Sequence, residues 1–388
     1  MHYTDLDCKN KNILLLQGPM GNYFKRFKKI LEALGASSVK QISFNAGDWL
    51  YSNKRVNTNY RGTFENWAMF LKTFIIAKKI QQIYLLGGDR KYHHQAKIIA
   101  NELNIKIFVF EEGYIRPGWI TLEENGVNGN SNLIKKYNPN VIYKKIVPRK
   151  DIENMVGLMS RNAIIYALMK NIGNKYFPNY EHHKSLNLYT RFVYGVKNIF
   201  LKIIHKKLDE KKLYPFMLSQ KKFFIIPLQV HDDFQVITHS RYKNIEEFIY
   251  EAIKSFSKSD NKTDSLIFKH HPMDRGIKNY SKYVLKISSK FGVKERVICI
   301  YEAHLPTLLK KSRGCLTINS TVGLSSLFHG NPTKIMGKAM YKLSGSHFSG
   351  SLKDFWIRPS MKNHSNFLNF YNFIKIESQI NDSFHIKG

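Results

Sequence analysis

Along the first third of the chain, a short apolar run, a glycine-rich or polar stretch and a helical period recur in that order. Asn12 to Leu16 leads into Gln17-Gly18-Pro19-Met20-Gly21, after which Phe24, Phe27, Ile30, Leu31 and Leu34 repeat at the three- and four-residue intervals that bury one helix face. Gln82 to Leu86 leads into Gly87-Gly88-Asp89-Arg90 and a helix through Ala96, Ile99 and Leu103, and Ile105 to Phe110 forms the next run. Strand-loop-helix units in series predict a parallel, doubly wound sheet. Ligands of such sheets bind beyond the carboxyl ends of the strands, where all three loops would lie.

A second series begins at Lys222. Phe223 to Val230 is apolar and runs into Gln229-Val230-His231-Asp232-Asp233-Phe234-Gln235, and Asn244 to Phe256 has helical periodicity. Ser265 to Lys269 ends in His270-His271-Pro272, Arg296 to Tyr301 is a further strand, and Cys315 to Ile318 precedes Asn319-Ser320-Thr321-Val322-Gly323 and a helix carrying Leu324, Leu327 and Phe328. The expected fold is therefore α/β, with two Rossmann-like domains whose parallel sheets face a central cleft. Residues 1–150 form the first domain and 221–345 the second; 151–220 read as a helical linker and 346–388 as a tail crossing back to the first domain. In the linker, Phe192, Val193, Val196, Ile199, Phe200, Ile203 and Ile204 make a stripe beside Lys197, Lys202, Lys206 and Lys207. That stripe fits a helix packed between domains, or a basic amphipathic helix lying on anionic lipid.

Composition narrows the classes. A length of 388 residues exceeds one compact core, and 43% hydrophobic with 13% aromatic residues is enough apolar surface to fold. The net charge of +32 attracts polyanions and anionic lipid surfaces. No nucleic-acid-binding module is recognisable, so a basic nucleic-acid binder is a remote alternative and no nucleic acid is expected as partner. The apolar runs are too short to span a bilayer and the opening residues do not read as a secretory signal. Cys8, Cys299 and Cys315 have neither metal-site nor disulfide-framework spacing. A cytoplasmic protein is expected. His93-His94 and His182-His183 are adjacent pairs without a carboxylate cluster, so neither a metal nor a cofactor is expected.

The acids stand out against this basic background. FEEGYIRPGWITLEENGVNGNS, residues 110–131, gathers Glu111, Glu112, Glu123 and Glu124, as a solvated surface turn or as a catalytic loop at a strand end. Asp232 and Asp233 sit at the end of the second series' first strand, where a carboxylate serves as nucleophile or base, or simply caps a turn. Facing each other, the two sets would place carboxylates on both walls of a cleft, the equipment of glycosyl chemistry. Asn319, Ser320 and Thr321 open a helix whose first N–H groups are unpaired, a ready anion site, although Ser320 as a plain cap explains the pattern too. His271, fixed before Pro272 and beside Lys269 and His270, suits a phosphate.

LQGPMGNYF, FNAGDW, GGDRKYHH, FEEGYIRPGWITLEENGVNGNS, PLQVHDDFQV, KHHPMDRG and TINSTVGLSSLFHG, in that order, resemble the capsule polysaccharide β-Kdo transferases over residues 15 to about 330. A single set of motifs sets the chain apart from the related enzyme with two such units. The resemblance implies a GT-B-like, retaining glycosyltransferase that moves 3-deoxy-D-manno-octulosonic acid (Kdo) from CMP-Kdo to a lysophosphatidylglycerol or phosphatidylglycerol primer. It would act at the inner face of the inner membrane, with other capsule assembly proteins. By the same resemblance Asp233, in the motif opened by Gln229, is the nucleophile, and Glu111 the acid/base residue with Glu112 its neighbour. His271, Asn319, Ser320 and Thr321 hold the CMP phosphate, and Lys269 and Arg116 are charge partners for the phosphate or the Kdo carboxylate. The family often has Asp-Ser-Gln where this chain has Asp233-Phe234-Gln235, and if Asp232 faces the cleft the nucleophile's role moves by one residue. A transferase of the same architecture using another nucleotide sugar is the alternative.

Overall fold

The computed structural model describes residues 1–52, 57–148, 156–181 and 188–386. His182, His183, the expected domain boundary at residues 150 and 151, and the side chains of Phe192, Val193, Val196 and Ile199 lie outside what it describes.

Among the described residues the strands form two sheets. β1 (Asn12–Leu15), β2 (Ser38–Ser43), β3 (Asn57–Asn59), β4 (Gln82–Leu86), β5 (Lys106–Glu112) and β6 (Ile120–Glu124) come first, β7 (Phe223–Pro227), β8 (Ser265–Lys269), β9 (Val297–Ile300), β10 (Gly314–Thr317) and β11 (Thr333–Ile335) second, and β12 (Gln379–Ile380) last. The first sheet has the order β12-β6-β5-β4-β1-β2-β3, and β1 to β5 pair in parallel. The second has the order β11-β10-β7-β8-β9 and every pairing in it is parallel. Each is a Rossmann-like α/β sheet, the class that the alternation of apolar runs and helical periods requires.

The chain separates into two compact units. One comprises residues 1–132, 145–191 and 372–388, the other 133–144 and 192–371. The first unit's core is aromatic. Tyr23, Phe24 and Phe27 of the helix Tyr23–Ala33 meet Phe110 of β5, with the Phe27 and Phe110 rings edge to face at 5.0 Å. In the second, Phe248, Ile249, Ala252, Ile253 and Phe256 of the helix Ile245–Ser257 bury their stripe against Phe224, Ile226, Leu266 and Phe268 of the central strands.

The acidic stretch departs from expectation. It is a hairpin, with β6 antiparallel to β5 and Glu111, Glu112, Glu123 and Glu124 all in strand positions. The cause is a period of two in Ile120-Thr121-Leu122-Glu123: Ile120 and Leu122 enter the aromatic core, while Glu123 is buried on the other face and satisfied by the Tyr114 hydroxyl at 2.6 Å and the Ser131 hydroxyl at 2.5 Å. Gly113 closes the turn because a Cβ there would lie 2.1 Å from the Trp119 carbonyl oxygen. The turn contains a cis Arg116–Pro117 bond. β12 pairs antiparallel with β6, and Gln379 accepts the Tyr114 N–H at 3.0 Å while donating to Thr121 at 3.0 Å.

Candidate functional site

In the second unit, β7 lies between β10 and β8, so three parallel strands deliver their carboxyl ends side by side. Gln229, just past β7, is buried. Its side-chain N–H groups donate to Asp233 Oδ2 and to Asn319 Oδ1, each at 2.9 Å, and its Oε1 accepts the Asn319 backbone N–H at 3.2 Å. Asn319 in turn donates to the Gln235 carbonyl at 2.8 Å. Asp233 caps the helix Phe234–His239 by accepting the Gln235 N–H at 2.9 Å, so both of its oxygens have donors and the carboxylate is held in one orientation. Asp232 beside it is exposed. Of the adjacent pair, Asp233 is the one joined to this polar array.

The remaining phosphate candidates flank it. Ser320 caps the helix Thr321–Phe328 through Val322 N–H at 3.3 Å, and Thr321 is the first helical residue. The Tyr341 hydroxyl donates to the Ser320 carbonyl, and Gly323 lets that ring approach, since a Cβ there would lie 2.4 Å from the hydroxyl. At the end of β8, Lys269 turns inward. It is buried, reaches the Tyr301 carbonyl at 3.4 Å, and burial lowers its pKa from the ordinary lysine value. His270 is buried as well, stacked on Tyr301 with ring centroids 4.3 Å apart; it accepts the Tyr280 N–H at 2.9 Å, and burial pushes it down to about 3, which keeps it neutral. His271 faces differently. Its Nδ1 accepts the Met273 N–H at 3.2 Å and caps the single turn Pro272–Asp274, so a neutral ring carries its proton on Nε2.

Supporting contacts come from the helix Leu188–Leu218. Asp209 accepts the Tyr301 and Glu302 N–H groups at 2.7 and 2.8 Å, and Asn198 accepts from Arg275, which also pairs with Glu302. Leu213, Phe216 and Met217 pack under the sheet, whereas Phe200, Ile203, Ile204 and Leu208 are exposed, as are Lys202, Lys206 and Lys207.

In the first unit Glu111 is half-buried and accepts the Glu112 N–H at 3.0 Å and Asn128 Nδ2 at 3.4 Å. Burial pushes its carboxyl above the ordinary glutamate value, and the nearby Arg90 charge opposes that rise. Glu111 registers with Thr121 and Glu112 with Ile120, so strand alternation points the two acids to opposite faces. Glu112 is exposed, and so is Arg116, whose Nε donates back to the Gly113 carbonyl at 3.1 Å.

A buried network at the carboxyl ends of β1 and β2 carries no role in the sequence reading. Asp48 accepts the Tyr166 hydroxyl at 2.6 Å, the Phe44 N–H at 3.1 Å, Asn45 Nδ2 at 3.0 Å and Gln17 Nε2 at 3.1 Å, and Arg90 donates to Gln17 Oε1 at 3.0 Å. Apart from Tyr166, its residues lie in the motifs LQGPMGNYF, FNAGDW and GGDRKYHH, and the places of Gln17 and Arg90 just past apolar runs were the available signal. Among the described residues no group of three or more His, Cys, Asp or Glu side chains is placed to hold a metal ion, and no helix is long and apolar enough to cross a membrane.

Both units are Rossmann-like α/β folds, with polar residues gathered at the carboxyl edges of parallel strands. Within that class the chain belongs to the capsule polysaccharide biosynthesis protein family, whose pattern matches residues 81–385. It is 34% identical over 381 residues to the capsule polysaccharide export protein KpsS of Escherichia coli, covering 96% of each chain. It is 33% identical over 395 residues to the capsule polysaccharide modification protein LipB of Neisseria meningitidis serogroup B, covering 97% of this chain and 92% of that one. Among solved structures it is similar to the β-Kdo 2,7 transferase of Thermosulfurimonas dismutans KpsC, at 12% identity and a TM-score of 0.42 over 93% of this chain and 89% of that chain.

Proposed function

We propose that the protein is a retaining β-Kdo transferase of capsule synthesis that uses CMP-Kdo and an anionic phospholipid primer, lysophosphatidylglycerol or phosphatidylglycerol. The observation that carries this reading is the Gln229–Asp233–Asn319 array, an oriented carboxylate at the carboxyl edge of a parallel sheet in a capsule-family chain. In the first half-reaction an Asp233 oxygen bonds to C2 of Kdo as the C2–O bond to CMP breaks, and the electron pair leaves on the phosphate. In the second, the primer hydroxyl oxygen bonds to C2, the bond to Asp233 breaks, and the hydroxyl proton passes to Glu111. Two displacements retain configuration. Burial raises the Glu111 carboxyl, which favours its taking up a proton.

His271, through Nε2–H, and the helix start at Ser320 and Thr321 take the departing phosphate charge. Lys269 contributes positive charge from beneath the strand ends rather than a direct contact, and Arg116 is a candidate for an anionic group of donor or primer. The exposed apolar and lysine residues of Leu188–Leu218 support peripheral attachment to the inner face of the inner membrane, beside other capsule assembly proteins. Intact-protein mass spectrometry after incubation with CMP-Kdo tests the reading. A Kdo adduct on the wild-type chain that is absent from Asp233→Asn supports it; activity with a UDP-sugar and none with CMP-Kdo rejects the donor.

A further inference from the structure

Asp274 is fully buried, at 0% exposure, at the end of the turn that His271 caps. Among the described residues, the hydrogen bonds to its side chain come from His231: the backbone N–H reaches Oδ2 at 2.8 Å and ring Nδ1 lies 2.6 Å from Oδ1. Burial pushes the Asp274 carboxyl up, and the hydrogen bond and charge of His231 pull it back down. A carboxylate is seldom placed where water cannot reach it unless its partner matters. Here it orients one imidazole. With Asp274 ionised, the proton between them sits on Nδ1, and Nε2 is directed to the other side of a ring whose side chain is 28% exposed.

The position of this pair is specific. His231 is two residues before Asp233 on the turn after β7, and Asp274 is three after His271 on the turn after the neighbouring β8. One buried carboxylate thus ties the turn of the candidate nucleophile to the turn of the candidate phosphate ligand. A carboxylate on Nδ1 fixes the ring's orientation and would offset the positive charge in the form that carries a proton on both nitrogens, the form in which Nε2–H is a donor. We propose that His231 is a second imidazole contact for the donor's phosphate, alongside His271, with Asp274 as its positioning residue. The proposal rests on reading this sheet edge as a nucleotide-sugar site. As the C2–O bond breaks, the electron pair settles on the phosphate oxygen and Nε2–H bonds to it without transferring a proton.

The test is ligand-observed NMR titration of the full chain with CMP, UMP and UDP, and with cytidine and uridine, which lack the phosphate. His231→Gln is expected to weaken nucleotide binding about tenfold and to leave nucleoside binding within about twofold. Asp274→Asn should reproduce part of that loss, and thermal melting of both variants checks folding, which the partly exposed His231 position should preserve. Equal weakening for nucleotide and nucleoside, or no change for either, overturns the proposal. Wild-type preference for UDP overturns the CMP donor while the same ratio still decides His231; wild-type binding of none of the nucleotides overturns both.

Discussion

Gln229 and Asp233 meet across the turn after β7, the side-chain amide donating to the carboxylate over 2.9 Å. The same amide also binds Asn319 at the end of β10, so the carboxylate's direction is set by a strand that arrives 90 residues later in the chain.

On the proposed reading, Asp233→Asn should lower Kdo transfer by at least about a thousandfold and abolish the adduct. Asn caps helices as well as Asp, but its amide N–H would face the Gln229 donor, so stability should fall by about 1–2 kcal/mol. Adduct formation by mass spectrometry and a thermal melt on the same sample check both parts. A folded variant that still forms the adduct would falsify the assignment of Asp233.

Asp48 supplies a pH prediction. Burial raises its carboxyl above the unfolded value, so the folded chain holds more protons than the unfolded one and stability falls as pH rises from the ordinary aspartate range through the raised value. Asp48→Asn should remove that part of the slope. It should also cost about 1–3 kcal/mol at neutral pH, because an amide N–H then faces the donors of Gln17 and Asn45. Urea midpoints between acidic and neutral pH, compared for the two proteins, measure both effects.

Gly113→Ala should destabilise the first unit by about 3 kcal/mol, since the atom in the way is the backbone oxygen of Trp119 and cannot rotate aside. The expected readout is a lowered melting temperature with reduced soluble yield. A melt unchanged from wild type would show that the turn relaxes.

Replacing Lys202, Lys206 and Lys207 with Gln should weaken binding to phosphatidylglycerol vesicles by about a hundredfold at low salt and leave binding to neutral vesicles unaltered. Exposed Ile204, changed to Ser, should weaken both. Co-sedimentation reads each, and equal binding of all variants would retire the membrane contact.

Strands buried on both faces were legible because their apolar runs are unbroken, as in Phe223 to Pro227 and Leu266 to Phe268. β2 was not, since Ser38-Val39-Lys40-Gln41-Ile42-Ser43 breaks the run with polar residues although Gln41 and Ser43 are buried. β6 hid behind Glu123, which reads as solvated until Tyr114 and Ser131 are seen to enclose it. The array residues Gln229, Asp233 and Asn319 were legible from their places just past strands. Contacts between distant segments were not: His231 and Asp274 are 43 residues apart, Asp48 and Tyr166 118, and no local spacing encodes either pair.

The seam between β6 and β12 fixes an order of events during synthesis. The second unit can collapse as soon as residue 371 has been made, yet the Glu111 hairpin keeps a bare edge until residues 379 and 380 arrive to cover it. A nonsense codon between residues 372 and 378 would therefore leave the second unit whole and the β6 edge of the first without its partner strand.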